Sequence, residues 1–343
     1  MLSPMKERVK VVLFGAGVIG CKVAKYLLEK KAWIELVGVV DIDPTKVGKD
    51  IGEVAGLEKK VGVAVSKDLD DALEKAKADV VIHTTSSFFK KVYPELEQIA
   101  SRGLDIVSSC EELSFPYFID EKLAHKLDLL AKKHGSTVLG TGINPGFLMD
   151  ALPLALTAPC LEVNSIKVTR KMNAGTRRVP FQKKVGAGMT PESFREAIAS
   201  GKITGHVGLE ESISMIATGL GWKLDELRIG EVEPVILERK VKSDWVEIPP
   251  GKVAGLRQTA KGLKGGKAII EHEFVAYVGA EEEYDLVEID GLPKVTSKIT
   301  PCVHGDYGTV AMLINMMPKV LEAPPGLYTM KDLPIPSAVV PRP

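Results

Sequence analysis

The length, composition and charge of the chain exclude several classes of protein. Its 343 residues, of which 45% are hydrophobic, are enough for two domains that each bury an apolar core. Basic and acidic residues both number 45, so the formal net charge is zero and nothing favours nucleic acid or an anionic membrane as a partner. No apolar stretch is long enough to span a bilayer.

The cysteines and the first residues favour a cytoplasmic protein. Cys21, Cys110, Cys160 and Cys302 form no CxxC pair, which predicts reduced, mostly buried thiols rather than a zinc or dithiol centre. The charged start of the chain lacks the apolar run of a secretory signal. The histidines lack metal-site spacing, so no metal is expected. Three Gln and four Asn beside plentiful Lys and Glu suggest a thermophile source.

The first 140 residues alternate strand and helix patterns. Strands are predicted at Val9–Phe14, Ile34–Val40, Val61–Val65, Val80–Thr84, Leu104–Ser108 and Thr137–Leu139, and helices at Cys21–Lys31, Asp68–Ala76, Phe88–Arg102 and Ile119–His134. Short apolar strands separated by helices indicate βαβ units and a parallel sheet. We therefore predict an α/β fold, with a doubly wound Rossmann domain over residues 1–145.

The pattern changes after the turn signal Asn144-Pro145-Gly146. Helices are predicted at Phe147–Thr157, Pro191–Ser200, Leu209–Thr218 and Tyr307–Leu321, and strands at Ser165–Met172, Val232–Val241, Lys252–Thr259, Ala268–Val278 and Asp285–Ile289. The longer alternating strands predict a second, α+β domain with a mainly antiparallel sheet over residues 146–305, for substrate binding and dimerisation. In residues 306–343 we expect the last helix to pack back on the first domain, before an extended, Pro-rich tail, Ala323–Pro343.

A glycine motif follows the first strand and opens the first helix. Gly15-Ala16-Gly17-Val18-Ile19-Gly20 fits G-x-G-x-x-G, and Asp41 ends the next strand at the spacing expected for a dinucleotide site. The first glycine permits the tight turn, the second lets the backbone approach a pyrophosphate, and the third lets helix and strand pack closely. The alternative is a glycine turn without a ligand. The predicted cofactor contacts are Gly15, Gly17, Val18, Ile19, Gly20 and Asp41.

Asp41 bears on the choice between NAD and NADP. Its carboxylate suits the free ribose hydroxyls of NAD and repels a 2′-phosphate, so NAD is favoured. Lys46 lies close enough in sequence to reach a phosphate, which leaves NADP open.

Small hydroxyl residues and two glutamates follow two neighbouring strands. Thr84, Thr85 and Ser86 end a buried strand, where ligands of open α/β sheets bind, so we assign them to the cofactor; the alternative is a helix cap. Glu111 and Glu112 follow the next strand at the same edge. Glu111 is the first candidate for proton transfer, although both carboxylates could equally be surface caps. Cys110 is a weaker candidate, as a semialdehyde dehydrogenase nucleophile.

Histidines and a basic cluster are the candidate substrate contacts in the second half. His206 and His304 each precede a helix, where they could line a pocket or serve as structural caps. Arg170, Lys171, Arg177 and Arg178 form either a solvated face or a grip on a substrate carboxylate.

Four stretches resemble the family of 2,4-diaminopentanoate dehydrogenases and related native amine dehydrogenases, whose first domain is similar to that of dihydrodipicolinate reductase. They are Val11–Gly20, Ser108–Pro116 (SSCEELSFP), Gly140–Phe147 (GTGINPGF) and Gly205–Ser212 (GHVGLEES). The glycine motif is common, whereas SSCEELSFP with GTGINPGF is much more specific, and the resemblance covers nearly the whole chain.

The resemblance implies NAD(P)-dependent deamination of an amine or diamino acid to a ketone and ammonia, reversible as reductive amination. It implies Glu111 as the catalytic residue, Asn144 near the nicotinamide and His206 in the substrate pocket. The predicted substrate-binding set is His206, Phe147, Arg178 and Thr309. By fold analogy we expect a homodimer.

Two other functions stay open at this point. The chain has no His-His pair followed by Lys and no PSGTA-like stretch, which makes imine reduction of the dihydrodipicolinate reductase type the runner-up. The other alternative is a non-catalytic NAD(P)-binding regulator, which would need no proton-transferring residue.

Overall fold

A computed structural model describes residues 8–30, 33–74 and 76–339, and it divides into two compact units. The first comprises Met1–Phe147 with Gly305–Pro343, and the second Leu148–His304. The strands are β1 (Val9–Phe14), β2 (Ile34–Val40), β3 (Val65–Ser66), β4 (Val80–His83), β5 (Asp105–Ser108), β6 (Thr137–Gly140), β7 (Glu162–Asn173), β8 (Glu226–Ile229), β9 (Glu233–Ile236), β10 (Val241–Lys242), β11 (Glu247–Ile248), β12 (Val253–Lys264), β13 (Lys267–Tyr277), β14 (Tyr284–Leu292), β15 (Val295–Ile299) and β16 (Gly326–Tyr328). The α-helices are α1 (Val18–Lys30), α2 (Ile51–Val54), α3 (Leu69–Leu73), α4 (Phe89–Ala100), α5 (Pro116–Ile119), α6 (Glu121–His134), α7 (Ala151–Leu156), α8 (Val179–Lys184), α9 (Pro191–Ala199), α10 (Leu209–Gly219) and α11 (Gly305–Glu322).

The first unit is built on a parallel sheet in the order β16-β6-β5-β4-β1-β2-β3. Every residue of β4 is buried, as the apolar run predicted for a strand covered on both faces. Helix α11 packs on β5 and β6 and against α1, where Lys22 forms an ion pair with Asp306 at 2.8 Å. The predicted Rossmann sheet is confirmed.

Two details of this unit go beyond the sequence patterns, and one of them corrects a prediction. The third strand was predicted at Val61–Val65, but β3 is only Val65–Ser66, because the Asp50 carboxylate accepts the backbone N–H groups of Val61 and Gly62 and holds that segment as a loop. The tail was predicted to be extended, and within it residues 326–328 pair with β6 as the strand β16, a pairing that the sequence did not reveal, with Leu327 buried there.

The second unit contains a mixed sheet in the order β15-β14-β7-β13-β12-β8, with β9 also paired to β12. β7 and β13 run parallel, and the other neighbouring pairs run antiparallel, which confirms the predicted α+β architecture. Helix α10 packs on β12 and β13 over an apolar core. Among the described residues, no helix is both long and apolar enough to cross a membrane.

Two element boundaries in residues 146–241 also differ from the prediction. The helix expected at Phe147–Thr157 begins only at Ala151, where the Asp150 carboxylate accepts the first helical N–H. The single strand expected at Val232–Val241 is two strands, β9 and β10, which pair with different partners. Pro234 lies within β9 and has no N–H to donate, which is compatible with the position of β9 as a short edge strand paired with β12.

Candidate active site

The glycine motif forms a tight turn between β1 and α1. Gly15 has φ 101°, and a Cβ there would lie 2.7 Å from the Thr84 carbonyl oxygen. A Cβ on Gly20 would lie 1.9 Å from the Gly15 carbonyl oxygen, so α1 can approach the turn only through a glycine. A Cβ on Gly17 would meet nothing within 4 Å. The backbone at Gly17 is thus open on the side where a pyrophosphate would approach the start of α1, which includes Val18 and Ile19.

Asp41 ties the end of β2 to this turn. Its Oδ2 accepts the Ala16 N–H at 2.7 Å, and its Oδ1 accepts the Asp43 N–H at 2.9 Å. Lys46 donates to Asp41 Oδ2 at 3.2 Å. Partial burial lowers the pKa of Lys46, but the hydrogen bond and charge of Asp41 outweigh it and raise that pKa. A cation therefore stands beside the carboxylate predicted to bind the adenosine ribose.

The hydroxyl residues after β4 have different partners. Thr84 donates to the Gly15 carbonyl oxygen at 2.7 Å, which supports the glycine turn from the neighbouring strand. Thr85 donates to Glu95 Oε2 at 2.6 Å. Ser86 is half-buried, ahead of a helix that begins at Phe89. The first N–H of that helix is bound by Glu112, from the next loop, so neither Ser86 nor Ser87 is its cap.

The loop after β5 separates the roles of its two glutamates. Glu112 Oε2 accepts the Phe89 N–H at 2.6 Å, so this carboxylate caps α4. Glu111 is half-buried and lies directly before the 3₁₀ turn Glu112–Ser114. Burial raises the pKa of the Cys110 thiol far above its ordinary value, with the charges of Glu111 and Glu112 adding to it. Cys110 is therefore a protonated, buried thiol, which argues against the nucleophile hypothesis.

The predicted Asn144 turn is a compact loop after β6. Gly146 has φ 119°, and a Cβ there would lie 2.4 Å from the Gly142 nitrogen. The Asn144–Pro145 peptide is cis. The hydroxyl of Thr309 in α11 accepts the Ile143 N–H at 3.4 Å, so this predicted substrate residue holds the turn that carries Asn144. Phe147 is half-buried at the end of the same turn.

In the second unit, four side chains form a row across one face of the mixed sheet. The register pairs Gln258 of β12 with Phe274 of β13, Phe274 with Arg170 of β7, and Arg170 with Asp285 of β14. Arg170 Nη1 donates to Asp285 at 2.6 Å, and its Nη2 donates to the Val303 carbonyl oxygen. Apart from Phe274, which belongs to the apolar core of this unit, the row is polar.

His206 lies on this row. Its ring stacks on Phe274 at a centroid distance of 4.3 Å, and its backbone N–H donates to Gln258 Oε1 at 2.9 Å. Burial, reinforced by the positive charges of Lys184 and Arg170, lowers the pKa of His206 to about 3. The imidazole is therefore neutral near physiological pH, and it can donate or accept a hydrogen bond but carries no charge.

The four basic residues predicted as one cluster are not brought together as one surface. Arg170 is 1% exposed and paired inside the core, which corrects its assignment to a solvated face. Lys171, on the opposite face of β7, lies over the rings of Tyr277 and Tyr284, and Arg177 pairs with Glu283 at 3.2 Å. Arg178 is exposed at the start of α8. Arg170 and Lys171 point to opposite faces because side chains alternate along a strand. The sequence did not reveal that Asp285 is the partner of Arg170.

Several polar residues in these regions were not singled out from the sequence. Glu95 lies inside an apolar helix pattern, Gln258 is one residue of a long strand, and His272 is a single histidine in β13. His83 was placed at the end of its strand but was given no role of its own. Neither ring nitrogen of His272 has a hydrogen-bond partner among the described residues. For Gln258 and His272 the available signal was a polar residue on a strand face that the period-two pattern predicts to be buried. Among residues 8–30, 33–74 and 76–339, no group of three or more His, Cys, Asp or Glu side chains is arranged to hold a metal ion.

Comparison with known proteins places the chain in a family. Residues 147–342 match the 2,4-diaminopentanoate dehydrogenase C-terminal domain, and residues 9–110 match the dihydrodipicolinate reductase N-terminus. The chain is 36% identical, over 97% of its own length and 96% of the relative's, to 2,4-diaminopentanoate dehydrogenase of Acetoanaerobium sticklandii. It belongs to the 2,4-diaminopentanoate dehydrogenase family.

Solved structures agree with this family in fold. The amine dehydrogenase from Mycobacterium smegmatis superposes with a TM-score of 0.81 at 24% identity, covering 96% of this chain and 97% of that one. GenD2 from gentamicin A biosynthesis, solved in complex with NAD, superposes with a TM-score of 0.50 at 20% identity, covering 86% of this chain and 74% of that one. The C-terminal family domain begins next to the boundary between the two units and includes α11 and β16.

Proposed function

We propose that this member of the 2,4-diaminopentanoate dehydrogenase family catalyses the NAD(P)-dependent oxidative deamination of an amine, with a 2,4-diaminopentanoate-like diamino acid as the substrate class. An amine, NAD(P)⁺ and water give a ketone, ammonia, NAD(P)H and a proton, and reductive amination is the reverse. The observation that carries the proposal is the placement of Glu111 at the carboxyl edge of the parallel sheet, two strands from the glycine turn, while its neighbour Glu112 is used as a helix cap. Full-length similarity to a 2,4-diaminopentanoate dehydrogenase supports it.

The residues present fit a dinucleotide. The open backbone at Gly17, the N–H groups at the start of α1 and Asp41 would hold the pyrophosphate and the adenosine ribose. Thr84, Thr85 and Ser86 lie at the end of the neighbouring strand. Together with Asn144 they are further proposed contacts of the cofactor. When bound, the nicotinamide supplies the hydride acceptor or donor.

Glu111 is the proposed proton-transferring residue. In deamination its carboxylate takes a proton from the substrate ammonium and releases it to solvent, then takes a second proton from the water that attacks the imine carbon and donates it to the departing nitrogen as ammonia leaves. In reductive amination it returns these protons. Asn144 orients the reacting group, while His206, as a neutral ring, and Phe147, Arg178 and Thr309 are proposed substrate contacts. The Thr309 hydroxyl accepts the Ile143 N–H and keeps its own proton to donate.

A pair of adjacent substitutions tests the assignment of Glu111. We expect Glu111→Gln to lower kcat about a hundredfold or more, because a positioned proton-transferring group contributes roughly 10²–10⁴-fold. Glu112→Gln makes the same chemical change one residue away, and it should stay near the wild-type rate because the amide oxygen still accepts the Phe89 N–H. Both rates are followed by the near-ultraviolet absorbance of reduced nicotinamide, with 2,4-diaminopentanoate, alkyl amines and, in reverse, ketones with ammonia.

The same assay separates the candidate functions. Amine-dependent reduction of the cofactor supports the proposal, and the preferred amine identifies the substrate class. If the wild-type protein binds cofactor but turns over no amine, the proposal is wrong and imine reduction or NAD(P)-dependent regulation takes its place. Near-wild-type turnover of Glu111→Gln would refute only the role of that carboxylate.

We propose NAD(H) as the preferred cofactor, with NADP(H) accepted less well. Asp41 favours free ribose hydroxyls, while Lys46 at 3.2 Å from it offsets the negative charge that would repel a phosphate. Asp41→Ser should shift kcat/KM towards NADP⁺, and Lys46→Ala should lower kcat/KM for NADP⁺ more than for NAD⁺. Equal effects of Lys46→Ala on both cofactors would contradict this role.

We also propose a heat-adapted, cytoplasmic homodimer. All four cysteines are free thiols, which suits a reducing compartment. Leu161 and Leu292 lie side by side, 86% and 54% exposed, which makes them candidates for an interface in the second unit. Light scattering should give twice the mass of the chain, and the thermal midpoint should exceed about 65 °C, the upper end for mesophile domains.

A further inference from the structure

A buried hydrogen-bond chain links α4 to the ends of β4 and β5. His83 and Ser108 are the last residues of these strands, pair in register, and are both fully buried. His83 Nδ1 lies 2.8 Å from Ser108 Oγ, and His83 Nε2 lies 2.7 Å from Glu95 Oε2 in α4. Burial raises the pKa of Glu95, but hydrogen bonds from His83 and Thr85 outweigh it and lower that pKa overall. Glu95 is therefore a carboxylate that only accepts.

The Glu95 carboxylate at one end sets the direction of the bonds along this chain. The Cys110 N–H can only donate, and it donates to Ser108 Oγ at 3.1 Å. In the neutral His83 ring, Nε2 donates its proton to the Glu95 carboxylate, and Nδ1 then accepts the single Ser108 proton. Glu95 Oε2 also accepts the Thr85 hydroxyl, and Thr85 Oγ lies 3.0 Å from His83 Nε2. Removing Ser108 or Glu95 takes the shortest hydrogen-bond partner from one nitrogen of the fully buried His83 ring.

The far end of the chain is the loop that carries Glu111. On one side of Glu111, the Cys110 backbone is held by Ser108 Oγ. On the other side, the Glu112 N–H donates to the Ser87 carbonyl oxygen at 3.1 Å, and the Glu112 carboxylate accepts the Phe89 N–H. Glu111 therefore lies between Glu112, which is bonded directly to the β4–α4 segment, and Cys110, whose backbone is held by Ser108 and through it by His83 of β4.

We propose that Glu95, His83 and Ser108 are positioning residues that hold the Ser109–Glu112 loop and thereby set the place of Glu111. This inference rests on the proposed role of Glu111. A loss of alignment of about an ångström is enough to lower a rate up to about a hundredfold, which is how residues that touch no reactant act on turnover.

Ser108→Ala and Glu95→Leu test the chain at its two ends. Both should raise amide hydrogen exchange of the Ser109–Ser114 segment about tenfold and lower kcat about tenfold, while KM for NAD⁺ stays within about twofold. Glu95→Gln keeps an acceptor for His83 and should stay near wild type. The matched control is Ser136→Ala, because Ser136 is an equally buried serine directly before β6, and it donates to the Leu104 carbonyl oxygen at 2.6 Å at the opposite end of these strands.

The outcomes separate this inference from the proposed function. Faster loop exchange and lower kcat in both chain variants, but not in the Ser136 or Glu95→Gln controls, support it. Unchanged loop exchange, unchanged kcat, or an equal loss of kcat in Ser136→Ala overturns it. If Ser108→Ala fails to fold, the contrast between Glu95→Leu and Glu95→Gln decides. A wild-type enzyme without amine turnover refutes the proposed function, whereas the exchange measurement still decides whether the chain holds the loop.

Discussion

Gly17 and Gly20 differ in what an added methyl group would meet, although both belong to the same motif. Gly17→Ala should leave the thermal midpoint almost unchanged, because the new Cβ has nothing within 4 Å, yet it should raise the Kd for NAD⁺ by blocking the approach of the pyrophosphate. Gly20→Ala should destabilise the protein even without cofactor, because its Cβ would lie 1.9 Å from the Gly15 carbonyl oxygen. Thermal melting with and without NAD⁺ measures both effects, and equal destabilisation by the two substitutions would contradict this division of roles.

Single residues were predictable from the sequence where a motif carries its own geometry. The glycine turn and Asp41 follow from spacing, because both elements are local. The division of labour between Glu111 and Glu112 did not follow, since Glu112 caps a helix that begins 23 residues earlier. The hydrogen bond that the Ala16 N–H donates to the Asp41 carboxylate was also missed. It joins the segments that follow β1 and β2, which come together only in the folded sheet.

His272 makes β13 sensitive to pH. Burial lowers the pKa of His272 to about 3 in the folded protein, whereas in the unfolded chain it is about 6.5. At a pH between these two values the unfolded state binds a proton that the folded state does not. The free energy of unfolding therefore has its full value above about pH 6.5 and decreases as the pH falls below it. From about pH 7 to about pH 5 we expect a loss of about 2 kcal/mol from this group.

Denaturant unfolding across this pH range measures the contribution of His272. His272→Leu, which fits among the apolar neighbours of the sheet, should flatten the pH dependence by the stated amount. His125→Leu removes an exposed histidine of α6 and should leave the slope as in the wild type. A wild-type slope in His272→Leu would show that another group controls acid stability.

The long elements were predictable because their periodicity extends over many residues. Strands β7, β12, β13 and β14 alternate buried with half-buried or exposed side chains over part of their length, and each overlaps a predicted strand. The two-residue β3 was predicted at the wrong place, and the three-residue β16 was missed. Such short strands form because they pair with a strand that is distant in sequence, and their own residue pattern is too short to predict them.

The C-terminal strand contributes to the stability of the whole first unit. Leu327 of β16 is 6% exposed and belongs to the apolar cluster shared by β1, β4, β5 and α6. We expect Leu327→Ala to cost about 2–3 kcal/mol of unfolding free energy. Leu129→Ala makes the same change at a 67% exposed position of α6 and should cost less than about 0.5 kcal/mol. Similar losses in both variants would mean that β16 adds little.

The pairing of β16 with β6 also has a consequence for biosynthesis. During translation, β6 is made long before residues 326–328, so the nascent chain carries an apolar strand with an open edge while the whole second unit is being synthesised. Such an edge is a template for pairing with another nascent chain. Chaperone supply and translation rate should therefore govern how much native enzyme a cell recovers.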